Sequence, residues 1–142
     1  MPATRIILAD LPFRDHPVSF WQRGVWPASW VGNAAQPAGA GVTAYRLRFT
    51  CAERMTARIH VSGDERYELF LDGERIGDGP ERGDLRHWLY ESWDLDLPAG
   101  EHVLVARTWW LGHVGTPTPA AHAQYSVCPA FLLAAEGAAG PL

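Results

Sequence analysis

The amino-acid sequence predicts an all-β fold, an antiparallel β-sandwich. Three observations indicate this class. About six segments alternate apolar and polar residues with the two-residue period of a half-buried strand. Turn residues separate these segments, and no segment shows a convincing helical period. With 142 residues, the chain has the length of one domain, which can bury enough surface to form its own core.

The first 41 residues are predicted to form an irregular arm. After its start this segment contains four prolines, three tryptophans and the small-residue run AAQPAGAG. Proline and glycine at this density interrupt helices and strands alike. A stretch of this length without regular structure should be packed against the domain. We therefore expect Trp21, Trp26 and Trp30 to anchor the arm on the sandwich.

The sandwich itself is predicted over residues 42–136, with residues 137–142 as a linker or tail. Its strands are predicted at 42–50, 55–63, 66–72, 87–97, 101–111 and 124–136. Successive side chains of a strand point to opposite faces. In the second strand this places Ile59 and Val61 toward the core and Arg58 and His60 away from it. The other strands alternate in the same way.

The stretch GDERYELFLDGERIGDGP at 63–80 combines acidic residues with glycines, and three interpretations compete for it. Asp72-Gly73 between apolar segments predicts a tight β-hairpin, and Gly79-Pro80 should end the returning strand. A phosphate loop would need a helix after its glycines, and none is predicted. A calcium site is the weaker alternative, because the spacing of the acidic residues does not fit a calcium-binding loop. Those residues are Asp64, Glu65, Asp72, Glu74 and Asp78.

Charge and composition exclude several classes of function. The chain has 12 basic and 16 acidic residues, a net charge of −4, and its arginines are dispersed, which argues against nucleic acid as a partner. No apolar run approaches a membrane span, so no membrane partner is expected. The N-terminus lacks the features of a signal peptide, which favours a cytoplasmic location. Cys51 and Cys128 match no metal or redox spacing and are expected to be reduced and buried, with a disulfide between them as the alternative.

Residues 42–111 carry a pattern that resembles a known family. The run from Gly63, followed by an aromatic strand and a further glycine, resembles the N-terminal β-sandwich of bacterial α-L-rhamnosidases and related multidomain glycoside hydrolases. The matching positions are Asp64, Tyr67, Leu69, Asp72, Gly73, Ile76, Gly79, Pro80, Trp88, Tyr90, Asp94, Leu95 and Gly100. The resemblance implies a jelly roll like that of galactose-binding domains.

The same resemblance implies a function outside this chain. Such modules accompany an α/α-barrel catalytic domain, which hydrolyses terminal rhamnose with its own carboxylates. The expected partner is therefore the catalytic domain of the same parent chain, and the sequence ending EGAAGPL reads as a linker or a cut at a domain edge. The chain is predicted to be a non-catalytic accessory module. The alternative is a purely structural module between domains or subunits, including a homo-oligomer, without a sugar ligand.

No catalytic site and no cofactor are predicted within the chain. A glycosidase needs two carboxylates about 6.5–9.5 Å apart across an inverting site, whereas most acidic residues here fall in predicted turns. The six histidines form no H-x-H or H-x-x-x-H pair, and no G-x-S-x-G motif occurs.

Tryptophans at strand ends are the candidates for binding terminal rhamnose or another sugar. Adjacent Trp109 and Trp110 must point to opposite faces of a strand, so one ring is buried and the other faces outward. An exposed indole beside polar groups suits the C–H face and the hydroxyls of a sugar. The alternative is that the arm covers the outward ring. The full candidate set is Trp109, Trp110, His113, Trp88, Arg86, His87 and Arg82.

Overall fold

A computed structural model of the chain describes residues 2–15, 26–35, 39–81, 83, 87–112 and 128–137. These residues form eight β-strands. They are β1 (Ala3–Ile6), β2 (Gly39–Cys51), β3 (Met55–Gly63), β4 (Arg66–Leu71), β5 (Glu74–Gly79), β6 (Glu91–Leu97), β7 (Gly100–Gly112) and β8 (Phe131–Ala135). In these ranges no helix is long and apolar enough to cross a membrane.

The strands form two antiparallel sheets of four. One has the order β1-β6-β3-β8 and is called the β3 sheet below; the other has the order β2-β7-β4-β5 and is called the β7 sheet. The chain changes sheet at each connection except the β4–β5 hairpin. The predicted all-β antiparallel sandwich is thus confirmed. Its closer assignment to galactose-binding-like jelly rolls stays a prediction.

The core lies between the two sheets and follows the predicted alternation. Ile59 and Val61 of β3 face it from one sheet, and Tyr67 and Leu69 of β4 face it from the other; all four are fully buried. The remaining buried members are Ala3, Cys51, Ala57, Leu71, Trp93, Leu95, Leu97, Leu104, Ala106 and Phe131. Because the alternate residues of each strand point outward, the outer face of each sheet is a separate surface.

The β4–β5 hairpin turns at Asp72 and Gly73. Both residues have positive φ, 51° and 85°, which a two-residue hairpin turn requires and glycine tolerates best. The Asp72 carboxylate also accepts hydrogen bonds from the backbone N–H of Val103 at 2.8 Å and from Nδ1 of His102 at 2.7 Å. The turn is thereby fastened to strand β7, so its acidic residue has a structural task.

The returning strand β5 packs unusually close to its neighbours because it contains two glycines. A Cβ on Gly77 would lie 2.1 Å from the Trp93 ring, and a Cβ on Gly79 would lie 2.0 Å from the Glu91 carboxylate. That carboxylate is buried and accepts a hydrogen bond from the Tyr67 hydroxyl at 2.7 Å. Burial, with the adjacent Glu91, raises the pKa of Tyr67 well above its ordinary value. Tyr67 and Gly79, two of the positions that match the rhamnosidase pattern, therefore serve packing.

The structure departs from the predicted elements at three points. A short strand, β1, forms within the arm and pairs with β6, because its backbone completes the edge of the β3 sheet. The strand predicted at 87–97 begins only at Glu91. The strand predicted at 124–136 is observed at Phe131–Ala135, and residues 124–127 lie outside the described residues. Pro129, which has no N–H to donate to a ladder, precedes that strand.

The cysteine prediction is right about oxidation and half right about burial. Cys51 and Cys128 are both free thiols, and Cys51 is buried at the end of β2. Cys128 is exposed, since it lies in the connection before β8 and outside the sheet.

Candidate functional site

The outer face of the β3 sheet carries an open cavity with a largely aromatic lining. Its volume is about 720 Å³. Four of its aromatic walls come from two places in the chain, Trp26 and Trp30 from the arm and Trp88 and Tyr90 from the segment that leads into β6. The remaining described lining residues are Ala28, Ser62, Asp64, Leu89, Cys128, Ala130 and Leu132. This cavity brings indole rings, a phenol and a buried carboxylate together on one concave surface.

Trp88 is fixed in the wall of the cavity by a chain of hydrogen bonds. Its indole Nε1 donates to the Ser62 hydroxyl at 3.0 Å, and that hydroxyl donates to the Leu89 carbonyl at 2.7 Å. Ser62 points outward because it follows core-facing Val61 in β3. The ring of Trp88 is therefore pre-oriented by the sheet beneath it.

Trp30 forms the exposed edge of the cavity. Its ring meets that of Trp88 edge to face, with centroids 5.5 Å apart and an interplanar angle of 82°. The next residue, Val31, forms both hydrogen bonds of an antiparallel bridge with Phe131, at 2.8 and 2.9 Å. Trp30 is nevertheless 45% exposed. The bridge thus holds the backbone beside a partly exposed indole.

Asp64 lies at the base of the cavity and is buried. The sequence suggested a solvated turn residue here, but its backbone N–H donates to the Ala130 carbonyl at 2.9 Å and its carboxylate accepts from the Cys128 N–H at 2.8 Å. These bonds join the end of β3 to the segment before β8. Because the turn is folded under that segment, Asp64 is removed from bulk water.

His60 lies under the arm beside the cavity. It is fully buried, with Nδ1 2.8 Å from the Ser92 hydroxyl and Nε2 2.9 Å from the Glu136 carboxylate. The rings of Phe13, Trp26 and Tyr90 meet it edge-on at centroid distances of 5.2, 5.6 and 5.9 Å. Desolvation lowers the pKa of His60, against the opposing effect of Glu136. The Ser–His–Glu arrangement is closed to substrates, so it acts as an anchor for the arm and for the end of β8.

The structure distributes the predicted sugar-binding residues over several places. Trp88 lines the cavity, and His87 is exposed next to it in the chain. Trp110 points into the sandwich and is buried, whereas Trp109 points outward from the β7 sheet and is half-buried. Trp88 and Trp109 thus lie on opposite sides of the sandwich. Arg82, Arg86 and His113 lie outside the described residues.

The outer face of the β7 sheet carries an apolar group around Trp109. Val42 pairs directly with Trp109 across β2 and β7 and is 65% exposed, and Leu111 is 67% exposed. We call Val42, Trp109 and Leu111 the β7-sheet patch. Farther along the same face, Glu68 forms ion pairs with Arg75 and Arg107. This face suits contact with another protein surface, because its apolar side chains are exposed next to one another.

The acidic residues considered for calcium do not come together. Asp64 and Glu65 precede β4, and Asp72 and Glu74 follow it, so about 20 Å of strand separates the two pairs. Among the residues that the structure describes, no three His, Cys, Asp or Glu side chains are grouped to hold a metal ion.

Comparison with known proteins gives one structural match. No protein-family model matches the chain, and no curated protein matches it. The crystal structure of a GH78 family rhamnosidase from Bacillus sp. GL1 matches with a TM-score of 0.65 at 23% sequence identity. The match covers 80% of this chain but only 12% of the rhamnosidase chain. The chain therefore shares its β-sandwich fold with a small part of a much longer rhamnosidase.

Proposed function

We propose that this chain is a non-catalytic accessory β-sandwich domain of a rhamnosidase-like glycoside hydrolase, which supports the catalytic domain and contributes to carbohydrate binding. The observation that carries the proposal is the fold match, because it covers most of this chain and 12% of a rhamnosidase. The sequence pattern around the β4–β5 hairpin, with its matching positions between Asp64 and Gly100, resembles the same class of enzyme. Fold alone does not give function, so the site residues must agree with it.

The carboxylates of the described residues support a non-catalytic role. Asp94 is engaged by Arg58 at 2.7 and 2.9 Å, and Asp96 by Arg54 at 3.0 and 2.6 Å. Glu91 is buried against the Tyr67 hydroxyl. A glycosidase instead presents two carboxyl groups across an open pocket. These acidic groups have structural partners, and the cavity on the β3 sheet contains one described carboxylate, that of Asp64.

The β7-sheet patch supports a role in contacting another domain. Three apolar side chains project from one sheet face, two of them more than 60% exposed. Exposed apolar groups of this kind are characteristic of interaction surfaces. The parent catalytic domain is the partner that agrees with the fold match. A second copy of the chain is the alternative, and it would make the domain an oligomerisation module.

A deletion experiment tests the supporting role. We expect the gene beyond residue 142 to continue into a glycoside hydrolase domain, and we call its full product the extended protein. Removing residues 1–142 from it should shorten severalfold the half-life of its aryl α-L-rhamnosidase activity at elevated temperature. The reason is that the surface of the catalytic domain that these residues cover would become exposed. An extended protein without a hydrolase domain, or equal half-lives with and without residues 1–142, would contradict the proposal.

The oligomerisation alternative is distinguished by light scattering on the isolated chain. A stable dimer at micromolar concentration, converted to a monomer by Leu111→Asp, would favour it. A monomer in both cases would favour the contact with a catalytic domain. Thr50→Asp on the same sheet face is the control, since Thr50 is exposed but outside the patch.

A further inference from the structure

We infer that the cavity on the β3 sheet, and not the Trp109 face, is the carbohydrate site of this domain, and that it takes a neutral pyranose stacked on Trp30 and Trp88. The inference rests on the proposed function for the choice of sugar as ligand class. Its location rests on the geometry of the cavity alone.

The first argument is that one indole is pre-oriented and the other is partly exposed. Trp88 is held through Nε1 by Ser62, and the backbone beside Trp30 is held by the bridge of Val31 with Phe131. Their edge-to-face contact forms a corner and does not bring the ring faces together. An open ring face can stack on the C–H face of a sugar. Rigid aromatic anchors reduce the ordering that binding would otherwise require.

The second argument concerns charge. Among the described lining residues none is basic, and the one carboxylate belongs to buried Asp64. An anionic ligand would therefore find no cationic side chain among the described lining residues to offset its own charge. Neutral hydroxyls can instead bond to polar groups such as the phenol of Tyr90, whose pKa burial raises, so that it stays an uncharged donor. The site therefore favours an uncharged sugar over a uronic acid.

The third argument is shape. A volume of about 720 Å³ falls in the range of about 300–1,000 Å³ that is usual for small-ligand sites. The β7-sheet patch, by contrast, projects from the outer face of a sheet and does not line this cavity. A peptide segment in the cavity is the competing occupant, and it would exclude free sugars.

The test is calorimetric titration of the intact 142-residue chain with L-rhamnose, methyl α-L-rhamnoside and D-galactose up to about 10 mM, where even millimolar affinity is measurable. D-glucuronate is the charged control. At least one neutral sugar should bind, and glucuronate should bind about tenfold more weakly or not at all.

Two variants locate the site, and a third is the matched control. Trp30→Ala removes the open ring and should weaken binding at least about tenfold, because stacking on it is lost. Ala28→Phe adds a ring to the cavity lining without removing one and should weaken binding at least about tenfold. Trp109→Ala removes a half-buried indole on the opposite side of the sandwich and should leave affinity within about twofold. Circular dichroism confirms that each variant keeps its fold.

Two results would overturn the inference. One is a folded chain that binds none of the three neutral sugars, which would leave the cavity to another occupant. The other is binding that survives both Trp30→Ala and Ala28→Phe, or is lost with Trp109→Ala. Neither result decides whether the domain supports a catalytic domain, because that role is tested separately by deleting residues 1–142 from the extended protein.

Discussion

Replacing Gly77 with alanine would place a methyl group in space that the Trp93 ring occupies. The new Cβ would lie 2.1 and 2.2 Å from two carbons of the ring, whereas non-bonded carbons pack at about 3.5–4.0 Å. More than about 1 Å of movement is therefore needed. Trp93 cannot swing into solvent, because it is buried in the core between the sheets.

The expected loss of stability follows from that overlap. Inserting a methyl group into a well-packed core costs about 1–3 kcal/mol. The lower entropy of the unfolded alanine chain offsets about 0.4–1 kcal/mol of this. We therefore expect a net fall of about 1–2 kcal/mol in the free energy of unfolding, and a larger fall if strand β5 must move away from β4. With a typical urea slope, the midpoint should fall by about 1 M.

Urea unfolding followed by circular dichroism measures the effect, and Gly63→Ala is the matched control. Gly63 also lies in a strand, but a Cβ there would be 3.4 Å from its nearest neighbour, an ordinary contact. The control should change the free energy of unfolding by less than about 1 kcal/mol. A Gly77→Ala protein as stable as the wild type, or a control that loses as much stability, would refute the conclusion that Gly77 is needed for strand β5 to pack on Trp93.

Four further predictions concern polar groups that are held by hydrogen bonds within the sandwich. Tyr67→Phe leaves the Glu91 carboxylate without its hydroxyl donor and should cost about 1–3 kcal/mol in urea unfolding, whereas no change would show that Glu91 is solvated. Asp72→Ala loses two hydrogen bonds and strains a positive φ, so the melting temperature should fall by several degrees, with Asp72→Asn falling less. Because the pKa of His60 is lowered, its neutral form contributes stability that is present above pH 6.5 and is lost as the pH falls through the lowered value; the melting-temperature difference from His60→Gln should shrink on acidification. His102 has a pKa raised by the Pro98 carbonyl and then by Asp72, so its contribution should be full below pH 6.5 and vanish as the pH rises through the raised value. The melting temperatures of His60→Gln and of a His102→Gln variant are compared with that of the wild type across this pH range. A difference that does not depend on pH would contradict the pKa shift assigned to that histidine.

Local chemistry made much of the sandwich predictable. Asp72-Gly73 between apolar segments specified the β4–β5 hairpin, because few other dipeptides adopt two positive φ angles. The strict alternation in 55–63 specified both the strand and its core face. The opposite directions of Trp109 and Trp110 followed from the two-residue period alone.

The candidate site was less predictable, because it depends on which sheet each strand joins. Trp88 and Trp109 each lie near one end of a predicted aromatic strand, yet they lie on opposite sides of the sandwich. No local sequence pattern encodes that difference. Strand β1 has four residues and pairs with a partner about 90 positions away, too little pattern to recognise. Ser62 falls within a predicted strand and Asp64 in a predicted turn. The outward direction of Ser62 was readable from the strand period, but the segment that folds over Asp64 was not.

The central claim is that this domain belongs to a rhamnoside-cleaving enzyme but performs no cleavage itself. The most direct measurement is the rate at which the isolated chain and the extended protein, at equal molar concentration, release the aryl group from an aryl α-L-rhamnoside. We expect steady hydrolysis by the extended protein and no rate above buffer for residues 1–142. Hydrolysis by the isolated chain, or none by the extended protein, would contradict the account.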